Sequence, residues 1–204
     1  MKFKFYAIKL SAIIVLFFLM QSLLRNYGFT ELLLLNKNAL SEPWRLVSAV
    51  FLHADTLHLI YNLFALALFG SILERFVGGR RFLMIFFITG IFANAISMNF
   101  YDNSLGASGA IFGVIGALIV VRPMLMVFAF GLPMPIFIAG ILWIAGDLAG
   151  IFIPSSVANI AHLSGIFLGA IFGAVYREKS GAVRKKRERL NEQEVRRWEE
   201  RHLR

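Results

Sequence analysis

Six apolar stretches, separated by short polar clusters, account for most of this chain. The first runs roughly from Tyr6 to Leu24, the second from Leu57 to Val77 and the third from Phe82 to Met98. The fourth begins near Ser108 and ends before Arg122-Pro123. The fifth covers roughly Pro133 to Ile153, and the sixth roughly Ile160 to Tyr176. A helix crossing a hydrocarbon core about 30 Å thick needs about 20 such residues. The pattern therefore predicts an all-α, polytopic membrane protein with six transmembrane helices. Lys2 and Lys4 give the first stretch the look of a signal peptide. Its apolar run is long for one and no small-residue cleavage site follows, so a retained helix is expected.

The fourth stretch is too short to cross. About 14 residues at about 1.5 Å each cover only ~21 Å of that core. Its first residue, Ser108, is then expected below the membrane surface, reached by a loop that dips inward. Non-helical backbone at such depth is tolerated only inside protein or beside a watery cavity. A short, recessed fourth helix is the form a sunken reaction site would take.

Composition narrows the chemistry. The 204 residues are 58% hydrophobic and 14% aromatic, with mean hydropathy +0.71, which fits an integral membrane class. The absence of cysteine excludes disulfides, thiolate metal sites and a cysteine nucleophile. The net charge of +9 is concentrated at one end: residues 177–204 hold 11 Lys/Arg against 6 Asp/Glu. A basic stretch after a membrane span faces anionic headgroups and helps fix orientation. Nucleic-acid binding is the weaker reading, because Trp198 is the one aromatic residue there for stacking. A membrane domain over residues 1–177 and a basic cytoplasmic tail over 178–204 are expected.

Short loops orient the bundle. Lys2, Lys4, Arg75, Arg80, Arg81 and Arg122 fall on one side, Arg25, Lys37 and Arg45 on the other. Positive-inside bias puts both termini in the cytoplasm of a cell membrane, and Ser108 and His162 toward the outer leaflet at equal depth. In the loop from about Arg25 to Thr56, Trp44 and Arg45 beside Leu46, Val47 and Val50 suit an amphipathic segment anchored in the interface.

A histidine in an apolar span is by default a functional-site hypothesis with a partner to be named. For His162 the natural partner is Ser108, and a serine with a histidine suggests hydrolysis. His58 and Asn62 are four apart on one helix face, at the same end as Ser108. Each also has a plain reading: an interfacial histidine, and an amide that hydrogen-bonds between helices. Gly109, Gly113 and Gly116 recur at helical spacing on the fourth span; Gly165, Gly169 and Gly173 recur on the sixth. Such stripes let membrane helices approach closely. They would serve packing alone in an arbitrary bundle, but here one stripe begins at the serine and the other is topped by the histidine. Asp147 reads as a loop or helix-end residue.

With these residues in place, the chain resembles the rhomboid family of intramembrane serine proteases. The resemblance runs from Trp44-Arg45 through His58-Leu59-Ile60-Tyr61-Asn62 and Gly106-Ala107-Ser108-Gly109 to Ala161-His162, Gly165 and Gly169. Glu74-Arg75 looks like the family's structural loop motif. The resemblance implies a basic six-helix bundle with no seventh helix or large extramembrane domain. It implies Ser108 as nucleophile and His162 as general base, a dyad without a carboxylate. His58, Asn62 and the Ser108 backbone N–H would stabilise the oxyanion. Gly106 would make room for the substrate carbonyl, and Gly109 and Gly165 would support the site. Phe112 falls where an aromatic packs on the histidine ring. His53 lies near the cavity without a catalytic role. No cofactor or metal is implied, and the partners would be transmembrane substrates and lipid.

Substrates would be transmembrane helices that unwind near their outer ends, entering between the second and fifth spans. The stretch from Gly146 to Asn159, with Pro154-Ser155-Ser156, would act as a lid. Three alternatives compete. A catalytically inactive rhomboid-like binding or chaperone module usually lacks the serine or the histidine. A small transporter would spread polar groups along a pore. A soluble-type esterase would need a G-x-S-x-G elbow after a strand.

Overall fold

The computed structural model describes residues 4–153 and 157–202. Six apolar helices form one bundle: α1 (Tyr6–Leu23), α2 (Thr56–Val77), α3 (Gly79–Ser97), α4 (Ser108–Val121), α5 (Ile136–Gly150) and α6 (Asn159–His202). Four of them, α1, α2, α3 and the Asn159–Arg177 part of α6, are long and apolar enough to cross a membrane. Helix α4 ends where expected, at Val121 before Arg122-Pro123.

Helix α4 is apolar all round, which suits a helix with neighbours on every side. Ala110, Ile111, Val114, Ile115, Ala117 and Leu118 are all buried. The glycine stripes explain how its neighbours come so near. A Cβ on Gly165 would collide with the Gly109 carbonyl, one on Gly169 with the Gly113 carbonyl and one on Gly116 with the Ile166 backbone. On the other flank, a Cβ on Gly113 would strike Thr89 of α3. Outward-facing Leu16, Leu19, Phe64, Phe167 and Ile171 are exposed, as lipid-facing residues are.

Two expectations are corrected. The fifth span does not begin at Pro133. Strands β3 (Met126–Ala129) and β4 (Leu132–Pro135) form an antiparallel hairpin first, and α5 occupies only Ile136–Gly150. Phe130 and Gly131 turn the hairpin at φ 54° and 79°, the paired positive φ of a type I′ turn. Pro133 and Pro135 are tolerated because the hairpin has two edges and no central strand.

Arg45, second, is not an interfacial anchor. It is 5% exposed and donates through Nη1 to the carbonyls of Glu31 and Leu34 at 2.7 and 2.8 Å while pairing with Glu42. It holds the connection between α1 and α2 from within. Trp44, beside it, remains exposed. The sixth span lies where expected, over Asn159–Arg177, and its helix continues through the basic tail to His202.

The α1–α2 connection has a task. Its strand β1 (Leu35–Asn36) pairs with β2 (Asn103–Ser104), just ahead of Ser108. Beside that pair, Lys37 meets Asp102 at 2.8 Å. Hydrogen bonding to Asp102 raises the Lys37 pKa above its ordinary value and lowers that of Asp102. Both side chains are exposed, so the pair guides the loop more than it stabilises the fold. At the other end of the bundle, Glu74 accepts from the Ala7 and Lys4 N–H groups, each at 3.2 Å. A buried carboxylate thereby caps α1, a structural use of the Glu74-Arg75 pair.

Candidate active site

Ser108 is the first residue of α4, where a backbone N–H has no partner within its own helix. The preceding loop is held by the Gly106 N–H, which donates to the Ala49 carbonyl at 2.9 Å. Gly106 has φ 128°, a conformation that glycine adopts at little cost and other residues rarely do.

His162 lies one helical turn inside the start of α6 and is buried. Its Nε2 is 2.8 Å from Ser108 Oγ. The glycine seam between α4 and α6 makes this distance possible, because side chains there would part the helices. Phe112, one turn below Ser108, stacks on the His162 ring with centroids 4.2 Å apart and planes at 17°. The structure thus brings Ser108, His162, Phe112, Gly109 and Gly165 into one cluster.

His58 joins them from the first turn of α2. A Cβ on Gly106 would stand 2.8 Å from His58 Cε1, 3.0 Å from its Nε2 and 3.9 Å from Ser108 Oγ. One small space therefore borders His58, Gly106 and Ser108. Asp55 caps α2 by accepting from the His58 N–H at 2.8 Å. The Ala54 N–H points at His58 Nδ1 across 3.4 Å, which favours the tautomer carrying its proton on Nε2, toward the serine.

His53 backs this arrangement. It is 1% exposed and sits edge-on to His58 with centroids 5.0 Å apart. Gln21 holds its backbone at both the N–H and the carbonyl. Burial is the main reason its pKa falls to about 4. The nearby His58 ring adds to this, and the Phe51 carbonyl and Asp55 partly oppose it. His53 is a neutral packing group at ordinary pH.

Asn62 is buried one turn along from His58, but its amide is engaged with its own helix. Nδ2 donates to the His58 carbonyl at 2.8 Å, and Oδ1 makes no hydrogen bond. An amide nitrogen has two hydrogens, so one donor remains.

The sequence reading missed the surroundings of Asp147. It lies inside α5, near its end as expected, yet it is buried, and its Oδ1 is 3.0 Å from His162 Nδ1. The expectation of a histidine with no carboxylate beside it is therefore corrected. The signal was present: Asp147 is the one acidic residue between Asp102 and Glu178. The rule that singled out His162, an ionisable group inside an apolar span, applies equally to Asp147. Of the suggested lid, Pro154-Ser155-Ser156 lies outside the described residues, as do residues 203–204 of the tail.

A hydroxyl bonded to a buried imidazole, with donors facing the same space, can carry out nucleophilic acyl transfer. Among the described residues no cluster of side chains could hold a metal ion.

Comparison with known proteins gives the same direction. Residues 40–179 match the Rhomboid domain family model. The chain is 31% identical over 139 residues to Rhomboid protease GlpG of Haemophilus influenzae, covering 66% of this chain and 70% of that protein. It is 44% identical over 84 residues to Rhomboid protease GluP of Bacillus subtilis, covering 41% of this chain and 17% of that protein. RHOMBOID-like protein 6, mitochondrial, of Arabidopsis thaliana is 40% identical over 81 residues, which are 39% of this chain and 26% of that protein. The chain thus spans most of the first relative but only a fraction of the other two.

Proposed function

This chain belongs to the rhomboid family of multi-pass membrane proteins, and on that premise we propose that it is an intramembrane serine endopeptidase. The observation that carries the reading is the 2.8 Å contact between Ser108 Oγ and His162 Nε2. As Oγ attacks the substrate carbonyl carbon, its proton passes to Nε2 and later goes to the leaving amine. General-base help of this kind contributes about 10²–10⁴-fold. Negative charge on the carbonyl oxygen is met by His58 Nε2–H, by the remaining Asn62 N–H and by the Ser108 backbone N–H. Such donors act strongly in a site of low dielectric constant, each worth on the order of 10²–10³ in turnover.

Substrates are transmembrane segments cleaved near the outer face of a cell membrane, entering between α2 and α5. The charge bias of the short loops supports cytoplasmic termini. Because the chain has no cysteine, single-cysteine variants report the topology cleanly. In sealed cells, Asn103→Cys should react with a membrane-impermeant maleimide and Arg80→Cys should not. The reverse pattern would invert the orientation.

The decisive test is cleavage of a single-span reporter in liposomes. Ser108→Ala and His162→Ala, shown to be folded, should lose cleavage while the parent protein retains it. An inactive rhomboid-like binding module predicts no cleavage by any of the three.

A further inference from the structure

The β3–β4 hairpin stands at the end of the bundle away from Ser108 and takes no part in the site described above. Its first strand alternates. Val127 and Ala129 are buried against the core, while Met126, Phe128 and, at the turn, Phe130 are 60%, 71% and 59% exposed. Leu132 on β4 and Met124 just before the hairpin are exposed as well. So contiguous an apolar surface is costly in water and marks a contact with something apolar.

The tip of the hairpin lies at membrane depth. The Phe130 ring is 6.0 Å from that of Trp143, which stands seven residues beyond the start of α5, or about 10 Å along its axis. A hairpin projecting away from the bundle could not make that contact. It folds back beside α5, and the Ile136 N–H clamps its base by donating to the Leu125 carbonyl at 2.8 Å. A strand edge in hydrocarbon is penalised for each N–H it leaves unpaired. With Val127 opposite Met134 and Ala129 opposite Leu132, the outward positions of β4 fall to Pro133 and Pro135, which have no N–H.

The base carries a cation. Arg122, directly after α4, lays its guanidinium over the Phe76 ring of α2, 4.5 Å from the centroid. Among the described residues it has no carboxylate partner. Stacking fixes the plane of the guanidinium and leaves its fork of N–H donors in the geometry that fits a phosphate.

We propose that an anionic phospholipid is seated here, its phosphate on Arg122 and its acyl chains along Met126, Phe128 and Leu132. Headgroup and chains follow the hairpin in order, from base to tip. Arg75, Arg80 and Arg81 at the same end of the bundle favour a net negative headgroup over a zwitterionic one. The proposal is independent of the peptidase reading, and its test measures no cleavage.

The test uses the full chain in phosphatidylcholine vesicles that contain a minor share of phosphatidylglycerol. A fluorophore on Phe128→Cys is quenched by chain-brominated lipid, either phosphatidylglycerol or phosphatidylcholine at the same mole fraction. Phosphatidylglycerol should show about threefold or greater preference. Arg122→Gln should remove most of it, Arg122→Lys should recover part, and Arg80→Gln should keep it. Equal quenching by the two lipids without any charge variant overturns the proposal. A preference that survives Arg122→Gln overturns it too. So does one abolished by inorganic phosphate at constant ionic strength, which would mark a site for a free anion.

A nitroxide on the same cysteine tests the depth. It should collide with oxygen as readily as one on lipid-facing Leu19→Cys, and be shielded from a water-soluble nickel chelate that reaches Arg80→Cys. Access like that of Arg80→Cys overturns the proposal. Dipolar broadening between labels in dilute vesicles would assign the face to a second copy of the chain and overturn it equally.

Discussion

Gly106 faces the edge of the His58 ring so closely that a methyl group there would stand 2.8 Å from His58 Cε1. The same residue has φ 128°. Gly106→Ala therefore meets two obstacles: a backbone conformation that disfavours a side chain, and an imidazole that must move aside. Displacing that ring should lower kcat by about 10²–10³, the usual effect of losing one oxyanion donor. Thermal unfolding should change far less, because the Gly106 N–H that donates to the Ala49 carbonyl belongs to the backbone and is kept in the variant. Reporter cleavage at parental rates in Gly106→Ala would show that His58 does not act from its present position.

The seam between α4 and α6 makes a contrasting prediction. Gly169 packs against the Gly113 carbonyl, two turns from His162 along α6. Gly169→Val should force the helices apart, at the ~1–3 kcal/mol typical of overpacking. Both Tm and cleavage should then fall, although the substitution lies away from the reacting atoms. An unchanged Tm would mean that the seam yields more easily than its geometry indicates.

His53 sets a dependence on pH. Its pKa is about 4 in the folded protein and about 6.5 in an unfolded chain. As pH falls from about 6.5 toward 4, the unfolded state takes up a proton that the folded state resists, so folding stability declines across that window. Above it the two states bind equally and nothing is lost. Thermal unfolding between pH 7 and 4.5 should show a steeper decline in the parent than in His53→Leu. Since His58 and Asp55 are common to both proteins, the difference between the two slopes belongs to His53. Parallel slopes would count against this assignment.

Much of the fold was legible because membrane helices advertise themselves. Long apolar runs between charged loops marked the spans, and Ser108 and Arg122-Pro123 bounded α4 on both sides. The glycine stripes announced the α4–α6 contact because small residues at helical spacing have few other uses in an apolar helix. What escaped was set by tertiary contacts. Pro133 and Pro135 suit a helix start or an edge strand equally well, and only pairing with Met126–Ala129 decides for the strand. Arg45 beside Trp44 reads as interfacial until the Glu31 and Leu34 carbonyls are found around its guanidinium. Asp147 and His162 are fifteen residues apart on different helices, and no periodicity links them. Ser108 and Asn62 could be singled out as candidates, whereas the direction of the Asn62 amide toward its own helix could not.

The glycine seam has one more consequence. Where α4 meets α6 beside the Ser108–His162 pair, backbone touches backbone, so there are no rotamers to rearrange and no side-chain entropy to lose. The spacing of the two helices that carry the reacting groups is thus a property of the main chain. Thermal hopping of side chains cannot loosen it, and substitution along the seam can only add volume. Tolerance to mutation should therefore be lowest where the residues are smallest and chemically most inert.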